Sequence, residues 1–467
     1  MLTPILKHHD KIPVYEQLYR YIRSEIECGN LIKGQRLPSK RKFSVHLKIS
    51  QSTIENAYAQ LSAEGYIYSL PKRGYFVNEF SGYHINSSPS VPHESFEPPH
   101  TPPSIQFDLR TNSVDTQHFP FSVWAKLMRE CLNENSQELL RAAVPQGNLS
   151  LRQEIVRYLH DFRGIDAQPS QIVLGAGSEY LLGLITQLLG RDSTYAVENP
   201  GYPKTARILN ANGLKTVFIP LDHNGIDIDV LSSCSVNVLH VTPSHHFPLG
   251  IVTPIGRRQS LLDWAGKGEK RYIIEDDYDS EFRFSGRPIP ALQSLDTNER
   301  VIYMNTFAKT LAPSLRISYM VLPPHLVRRF HQELYFYSCT IPSFEQETLN
   351  KFLSRGYFER HLSRMRGRYK FCRDTFISHL TKNIPKSLIK ISGQDSGLHL
   401  LLTVENGMDE QLLVSSAQKK GVRVYGLSSY YHNSYASPVF PAIVVGYSGY
   451  QPDELTEVAH LLQTAWF

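Results

Sequence analysis

A lysine, an acidic cluster and an arginine in the second half of the chain have the types and spacing to bind one particular cofactor. Lys309 follows an apolar run typical of a buried strand, Arg316 lies seven residues later, and Glu275–Asp279 lies about thirty residues earlier. Pyridoxal phosphate (PLP) needs an amine for a Schiff base, a carboxylate for its ring nitrogen and a cation for its phosphate. A lysine near an arginine is usually a solvated surface pair, but the apolar surroundings favour a cofactor lysine. We therefore predict that PLP binds at Lys309.

Three further segments could complete such a site. Gly175–Glu179 follows a predicted strand and begins a predicted helix, so its amides could hold a phosphate at the positive helix end. Tyr202, in an Asn-Pro-Gly-Tyr-Pro turn, could stack on a pyridine ring. Asp276 and Tyr278 lie two residues apart at a strand end, which suits the ring nitrogen and the ring hydroxyl, with Asp277 as the alternative acid. Each segment alone is also typical of ordinary turns and cores.

The elements that would position these residues alternate between strands and helices over residues 106–467. This alternation predicts a mostly parallel sheet with helices on both faces, such as the helical segment Glu179–Leu189. After about residue 350, longer polar helices and further strands predict a smaller α+β subdomain. The predicted strands are Ile172–Leu174, Thr194–Val197, Thr216–Ile219, Val236–Val241, Tyr272–Glu275, Val301–Met304, Tyr319–Leu322, Leu398–Val404, Val422–Tyr425 and Ala442–Gly446.

The first 80 residues account for the whole net positive charge of the chain. They contain 12 Lys/Arg and 7 Asp/Glu, and this excess equals the net charge of +5 of all 467 residues. A polyanion is therefore the expected partner of this segment alone. The five cysteines are scattered, with no Cys-x-x-Cys spacing, which favours a reducing compartment and argues against a structural zinc. With no signal pattern and no long apolar stretch, we expect a cytoplasmic protein that does not bind a membrane.

Residues 1–78 have the element order of a winged helix-turn-helix that binds double-stranded DNA. The spacing of apolar residues predicts a helix over Pro13–Glu27, two helices after the caps Ser39 and Ser50, and strands at Tyr66–Leu70 and Tyr75–Val77. The recognition helix would begin after Ser50, and a basic hairpin would form the wing. The predicted DNA-contacting residues are Ser39, Lys40, Arg41, Ser50, Gln51, Ser52, Thr53, Lys72, Arg73 and Gly74.

A segment rich in proline and serine separates the two regions. Residues 79–105 contain no apolar period, and their composition predicts a semi-extended linker. The sequence therefore predicts a DNA-binding domain at 1–78, a linker at 79–105 and a PLP-binding domain at 106–467.

Residues 12–77 resemble the GntR family of bacterial regulators. The residues that carry the resemblance are Pro13–Leu18, Gly34–Arg41, Ser50–Ile54, Ala57-Tyr58, Leu61, Glu64–Tyr66 and Arg73–Val77. Many relatives carry arginine where this chain has Gln51. Because glutamine pairs with adenine rather than guanine, we predict an adenine-containing step at the base that Gln51 contacts.

Residues 106–467 resemble the fold-type-I aminotransferases, and the combination with a GntR-type segment resembles the MocR subfamily. Thr306-x-x-Lys309 matches the Ser/Thr-x-x-Lys signature of that fold, and Ala312–Arg316 matches the segment of its phosphate arginine. The resemblance implies that Lys309 forms the Schiff base, and it implies a head-to-tail homodimer that binds paired half-sites. The other cofactor-binding positions that it implies are Gly177, Ser178, Glu179, Tyr202, Asp276, Tyr278 and Arg316.

Three positions depart from the aminotransferase pattern. Phe247 replaces an asparagine that bonds the ring hydroxyl, Val444 replaces the arginine that clamps the substrate carboxylate, and Glu179 replaces a glutamine. Lys204 and Arg423 are the remaining candidate carboxylate partners. Without the clamp, an amino acid loses binding and orientation, which favours a sensor over an enzyme. We therefore expect a PLP-dependent regulator that senses an amine; a regulator that senses PLP itself and an aminotransferase tethered to DNA are the alternatives.

Overall fold

The computed structural model describes residues 2, 4, 6, 12–79, 105–111, 113–134, 137–382, 384–432 and 441–467. The chain divides into two compact units, residues 1–100 and 101–467. We call residues 12–78 the head and residues 106–467 the body. Most of the predicted linker, residues 80–104, lies outside the described residues.

The head contains three helices and a two-stranded hairpin, as the sequence predicted. The helices are α1 (Val14–Glu27), α2 (Lys40–Leu47) and α3 (Gln51–Ala63), and the antiparallel strands are β1 (Ile67–Leu70) and β2 (Gly74–Val77). Ser39 and Ser50 cap α2 and α3, because their hydroxyls accept bonds from the amides of Lys42 (3.3 Å) and Thr53 (3.1 Å). Each cap satisfies an amide that has no partner inside its helix.

The core of the head is formed by one face of each helix and by the hairpin. Residues four apart on α1 and three or four apart on α3 are fully buried, which is the helical spacing that the sequence showed. They pack against one residue from each strand. The members are Leu18, Ile22, Ile26, Leu31, Leu37, Phe43, Ile54, Ala57, Tyr58, Leu61, Ile67 and Val77.

An eight-stranded sheet forms the centre of the body, with strand order β4-β11-β10-β9-β8-β5-β6-β7. Its strands are β4 (Ile172–Ala176), β5 (Thr194–Asn199), β6 (Lys215–Asp222), β7 (Gly225–Ile226), β8 (Val238–Val241), β9 (Tyr272–Asp276), β10 (Val301–Thr306) and β11 (Ile317–Val321). Strands β6, β5, β8, β9 and β10 run parallel, so the predicted mostly parallel sheet is confirmed. The exceptions are β7 and β11, which are antiparallel to their neighbours.

Helices cover both faces of this sheet because its strands are apolar on both sides. Val173 and Met304 pack with α6 and α10 on one face, whereas their neighbours Leu174 and Tyr303 pack with α5, α11 and α12 on the other. Successive residues of a strand point to opposite faces. The helices are α4 (Phe121–Glu134), α5 (Leu149–Arg163), α6 (Ser178–Leu189), α7 (Pro203–Ala211), α8 (Ile228–Ser233), α9 (Ile255–Gly266), α10 (Pro324–Glu333), α11 (Ser343–Ser354) and α12 (Tyr357–Thr381).

A second, four-stranded antiparallel sheet with two helices forms the predicted small subdomain. Its order is β12-β13-β16-β15, and the predicted strand Val422–Tyr425 is in fact two short strands, of which β14 pairs with β3 elsewhere. The remaining elements are β3 (Phe107–Asp108), β12 (Ile389–Ser392), β13 (His399–Val404), α13 (Glu410–Lys419), β14 (Val422–Arg423), β15 (Tyr425–Gly426), β16 (Ala442–Gly446) and α14 (Pro452–Trp466).

Helix α12 connects the large and small parts of the body. It has 25 residues and packs against both α11 and α14. Near its start, His361 Nε2 lies 3.0 Å from the carbonyl oxygen of Thr310, the residue after Lys309. Across the described part of the chain, none of the helices is both long and apolar enough to span a bilayer.

Candidate functional site

The predicted cofactor residues line one cavity of about 240 Å³ in the body. The cavity lies where β5, β8, β9 and β10 end, because the carboxyl ends of parallel strands meet at one edge of a sheet. The predicted residues along its wall are Gly177, Ser178, Glu179, Tyr202, Lys204, Asp276, Tyr278, Thr306, Lys309 and Arg316. Arg423 is exposed on β14, with its guanidinium 5.8 Å from the centre of the Tyr425 ring, and it is not among the residues that line this cavity. Its role at the effector stays a prediction.

Lys309 follows β10, and its amine lies inside the body rather than in bulk solvent. Its Nζ donates a hydrogen bond to the carbonyl oxygen of Thr111 at 3.1 Å. Burial lowers the pKa of Lys309 to about 8, although the nearby carboxylate of Asp279 raises it. A lowered pKa gives more neutral amine near pH 7 to 8, and the neutral amine is the form that attacks a carbonyl.

Asp276 ends β9 and presents its carboxylate to the cavity with a histidine behind it. The Nε2 atom of His240 lies 3.4 Å from Asp276 Oδ2. On β5, the strand beside β8, the carboxylate of Glu198 accepts hydrogen bonds from the amide and the hydroxyl of Thr242. Burial raises the pKa of Glu198 to about 7. Sequence reasoning missed both residues. A histidine within the otherwise apolar strand Val238–Val241 was the available signal.

Asp277, the alternative acid, points away from the cavity. Its carboxylate pairs with Arg163 (2.8 Å) and accepts bonds from the hydroxyls of Tyr303 (2.6 Å) and Ser280 (2.9 Å). All three contacts are made to Oδ2 within a buried network, and Asp277 is not among the residues that line the cavity. Asp276 is therefore the carboxylate that can meet a ligand in the cavity.

Tyr278 lies beyond the end of β9, yet its side chain lines the same cavity as Asp276. Its hydroxyl donates to the carbonyl oxygen of His245 at 3.1 Å, and His245 Nδ1 lies 3.0 Å from Asp279 Oδ2. Burial raises the pKa of Tyr278 well above its usual range, and the Asp279 charge raises it further. The phenol is therefore neutral and oriented at neutral pH.

Two cations and a carboxylate meet at the start of α6. Gly177 precedes this helix with a φ of 99°, and any side chain at this position would collide with the Arg316 guanidinium. Glu179 forms ion pairs with both Arg316 and Lys204. Burial raises the pKa of Glu179, but the bonds and charges of its two partners lower it more, so the net shift is downward. The amides after Gly177 and the two cations are groups of the kind that bind anions at a helix N-terminus.

Thr306 lies on the wall between Lys309 and the sheet. Its hydroxyl accepts bonds from Ser318 Oγ (2.8 Å) and from the amide of Ala308 (3.2 Å). These bonds fix the turn that leads from β10 to Lys309.

Phe247 and Val444, two of the three positions that depart from the aminotransferase pattern, are buried apolar side chains in the structure. Phe247 is buried, with its ring edge-on to Tyr202 at a centroid distance of 5.6 Å. Val444 is fully buried on β16 and lies outside the cavity wall. Its apolar neighbours are Leu401, Leu427 and Ala442. Neither position can bond a ring hydroxyl or a carboxylate.

These residues fit PLP by their chemistry. The cavity offers an amine of lowered pKa at Lys309, a carboxylate at Asp276 and a cationic anion site at Arg316. When bound, PLP supplies an aldehyde for amines and an electron-withdrawing ring. Tyr202 and Phe247 provide aromatic surface for that ring.

The predicted DNA-contacting residues of α2 and α3 lie on the surface of the head. The hydroxyl of Ser50 lies 2.8 Å from that of Ser52 and 2.7 Å from that of Thr53. Ser39 and Ser50 serve as caps, so their hydroxyls are already used in the head itself. Lys40 pairs with Glu55 (3.0 Å), whereas Arg41 and Gln51 are exposed at the starts of their helices.

The wing is a tight turn between β1 and β2. Lys72 adopts a left-handed conformation with a φ of 60°, and Gly74 begins β2 with a φ of 106°. Lys72 and Arg73 are both exposed at the tip. Two cations are thereby held on a short rigid hairpin, a geometry suited to phosphate contacts.

Comparisons with known proteins agree with this two-part architecture. Residues 104–435 match the family "Aminotransferase class I and II", and residues 14–77 match "Bacterial regulatory proteins, gntR family". The kynurenine aminotransferase of Pyrococcus horikoshii is a structural neighbour at 26% identity and a TM-score of 0.67, over 78% of this chain and 90% of that chain. The aminotransferase match implies PLP as the cofactor, as the sequence predicted.

Relatives with the same two parts match the chain from end to end. It is 38% identical to the uncharacterized HTH-type transcriptional regulator YdeL of Bacillus subtilis, over 100% of this chain and 99% of that protein. It is 30% identical to the probable rhizopine catabolism regulatory protein MocR of Rhizobium meliloti, over 99% of this chain and 95% of that protein. The helix-turn-helix head implies that the protein binds DNA. The chain therefore belongs to the MocR subfamily of GntR-family transcriptional regulators.

Proposed function

We propose that the body binds PLP covalently at Lys309 and that the state of this site changes how the head binds DNA. The observation that carries the proposal is the meeting of three groups in one cavity: the Lys309 amine, the Asp276 carboxylate and the Arg316 guanidinium. In this proposal Asp276 pairs with the ring nitrogen and Arg316 with the phosphate. Tyr278 bonds the ring hydroxyl and Tyr202 stacks on the ring.

We propose that the body is a sensor and not an enzyme that turns over amino acids. An amino-acid substrate needs a bidentate cation for its α-carboxylate, and Val444 gives an apolar side chain at that position. Lys204, the remaining candidate on the cavity wall, is paired with Glu179. A ligand that binds without reacting further can still shift the protein between two conformations if it binds one of them better.

An amine effector that takes the place of Lys309 on the cofactor is our leading candidate signal. A regulator that responds to PLP itself is the second candidate, and the apolar position Val444 favours it because no carboxylate clamp is then needed. A relative at 30% identity, over 96% of this chain and 95% of that protein, is named "HTH-type pyridoxine biosynthesis transcriptional regulator PdxR" in Corynebacterium glutamicum. Its name also supports the second candidate.

The test is a binding experiment with and without the cofactor. PLP added to the purified protein should give a visible absorption band, and the Lys309→Ala variant should not form the same band. Operator affinity, measured by fluorescence anisotropy, should change on addition of PLP or of PLP with a panel of amines. A change with PLP alone identifies PLP as the signal, whereas a change only with an amine identifies an amine. A colourless protein whose DNA affinity is insensitive to PLP would refute the proposal.

Turnover is measured separately. The rate of transamination between an amino acid and a 2-oxo acid should lie far below the ordinary enzyme range of about 1–1,000 per second. A rate within that range would show that the tethered aminotransferase is the correct alternative.

We also propose that two copies of the chain form a head-to-tail dimer, which would present two heads to paired half-sites. Large apolar side chains are exposed on the body: Leu140 is 87% exposed, Phe336 75% and Leu149 54%. Extensive exposed apolar surface on a soluble protein marks interaction sites. Leu140→Glu should shift the protein to a monomer in analytical ultracentrifugation, whereas Leu412→Glu, on α13, should not.

A further inference from the structure

Glu179 is the only charged residue of Gly175–Glu179, the predicted phosphate-binding segment, and its negative charge opposes phosphate binding. It lies in the first turn of α6 and pairs with Arg316 and Lys204 together. The same cations are the ones that an incoming phosphate must bind. The Glu179 carboxylate therefore neutralises part of the positive charge that would otherwise be available to the phosphate.

The backbone at the start of α6 brings the three side chains together. A Cβ atom at Gly177 would lie 2.9 Å from the Glu179 carboxylate and would also collide with Arg316. The carboxylate and the guanidinium are thus packed directly over the positive end of the helix, where anions bind. Both partners of Glu179 are about half exposed, at 49% for Lys204 and 50% for Arg316, so both can turn toward a ligand.

We propose that the Glu179 carboxylate competes with the cofactor phosphate for Arg316 and Lys204 and thereby raises the PLP concentration at which the body becomes loaded. The three side chains carry one net positive charge. A bound phosphate dianion makes the sum negative, whereas with a glutamine at position 179 the sum would be zero. The carboxylate remains charged near neutrality because its pKa is lowered.

This inference rests on the proposed function, since it concerns the same PLP site. It says that Glu179 helps to set the PLP concentration at which the site fills. A cofactor held very tightly is always bound and reports nothing about its supply. A site whose PLP affinity is lowered by its own carboxylate fills over a higher range of PLP concentrations. A sensor of PLP itself needs its occupancy to change as the PLP supply changes.

The experiment compares the wild-type protein with Glu179→Gln in titrations with PLP, with pyridoxal, which lacks the phosphate, and with inorganic phosphate. Glutamine keeps the size of the side chain and removes its charge. We expect the PLP dissociation constant to fall about tenfold and phosphate to bind more tightly as well. Pyridoxal affinity should stay within twofold. The matched control is Glu154→Gln, which removes a carboxylate paired with Arg157 on α5, outside the cavity.

Each outcome decides between the two proposals. If the wild-type protein binds PLP and Glu179→Gln binds it no more tightly, the competition is wrong and the PLP site remains. If pyridoxal gains as much as PLP, the effect does not act through the phosphate, and the inference is again wrong. If only Glu179→Gln binds PLP, the inference is supported in its strongest form. If neither protein binds PLP, the proposed function fails and the inference fails with it.

Discussion

The pKa of Lys309 gives a quantitative prediction for the pH dependence of PLP attachment. With a pKa of about 8, about one tenth of the amine is neutral at pH 7, half at pH 8 and about nine tenths at pH 9. An ordinary lysine, with a pKa of about 10.4, would be neutral in fewer than about one molecule per thousand at pH 7. Because only the neutral amine attacks the aldehyde, the second-order rate of attachment should rise about fivefold from pH 7 to 8 and level off above pH 9.

The assay follows the visible band of the bound cofactor after rapid mixing at low PLP concentration, where the rate reports the free protein. A lysine-containing peptide, measured over the same pH range, corrects for the ionisation of PLP itself. Borohydride reduction and peptide mapping then identify Lys309 as the attachment point. A rate that keeps rising about tenfold per pH unit up to pH 10 would show an ordinary lysine and refute the reasoning.

Replacing Asp279 tests the same pH dependence in a second way. The Asp279 carboxylate raises the pKa of Lys309, so Asp279→Asn should move the midpoint of the profile to lower pH. Asp161→Asn, which removes an exposed carboxylate of α5, should leave the midpoint unchanged. An upward shift with Asp279→Asn would contradict the electrostatic assignment.

Three further predictions concern the phosphate site and the head. Arg316→Ala should weaken PLP binding about 30-fold, since a charge-assisted pair contributes about 2 kcal/mol, while Arg329→Ala on α10 should leave the absorbance titration unchanged. Ser50→Ala should lower the free energy of unfolding of the head by about 1 kcal/mol in urea titrations, because the α3 cap is lost; equal stability would mean that the cap is unimportant. Arg73→Ala should weaken binding to all DNA sequences alike and reduce the salt slope by about 1, whereas a sequence-specific loss would show base contact instead.

The head was predictable almost to the residue because its signals are local. Ser39 and Ser50 have cap chemistry and Gly65 follows α3, so each helix boundary is determined by its neighbours in sequence. The strands of the body were predictable for a similar reason, since their apolar runs show burial on both faces. Their direction was not: β11 runs antiparallel to its neighbours, and pairing direction depends on the path of the chain between strands.

The site was predictable where residue type alone identifies the chemistry, as for Lys309 and Arg316. It was not predictable where the chemistry depends on which strands lie side by side. His240 reaches Asp276 only because β8 is next to β9, and that order is a property of the whole sheet. The role of Arg423 stays a prediction, since its charge suggested it and its position on β14 is not among those that line the cavity.

Helix α12 has a mechanical consequence for the body. Its 25 residues span about 37 Å, and an α-helix is stiff along its axis. One end is hydrogen-bonded to the residue beside Lys309, through His361 and Thr310, and the other packs against α14 in the small subdomain. Because the helix is stiff, its two ends move together along the axis. A displacement of the lysine segment along that axis would therefore be transmitted to the small subdomain.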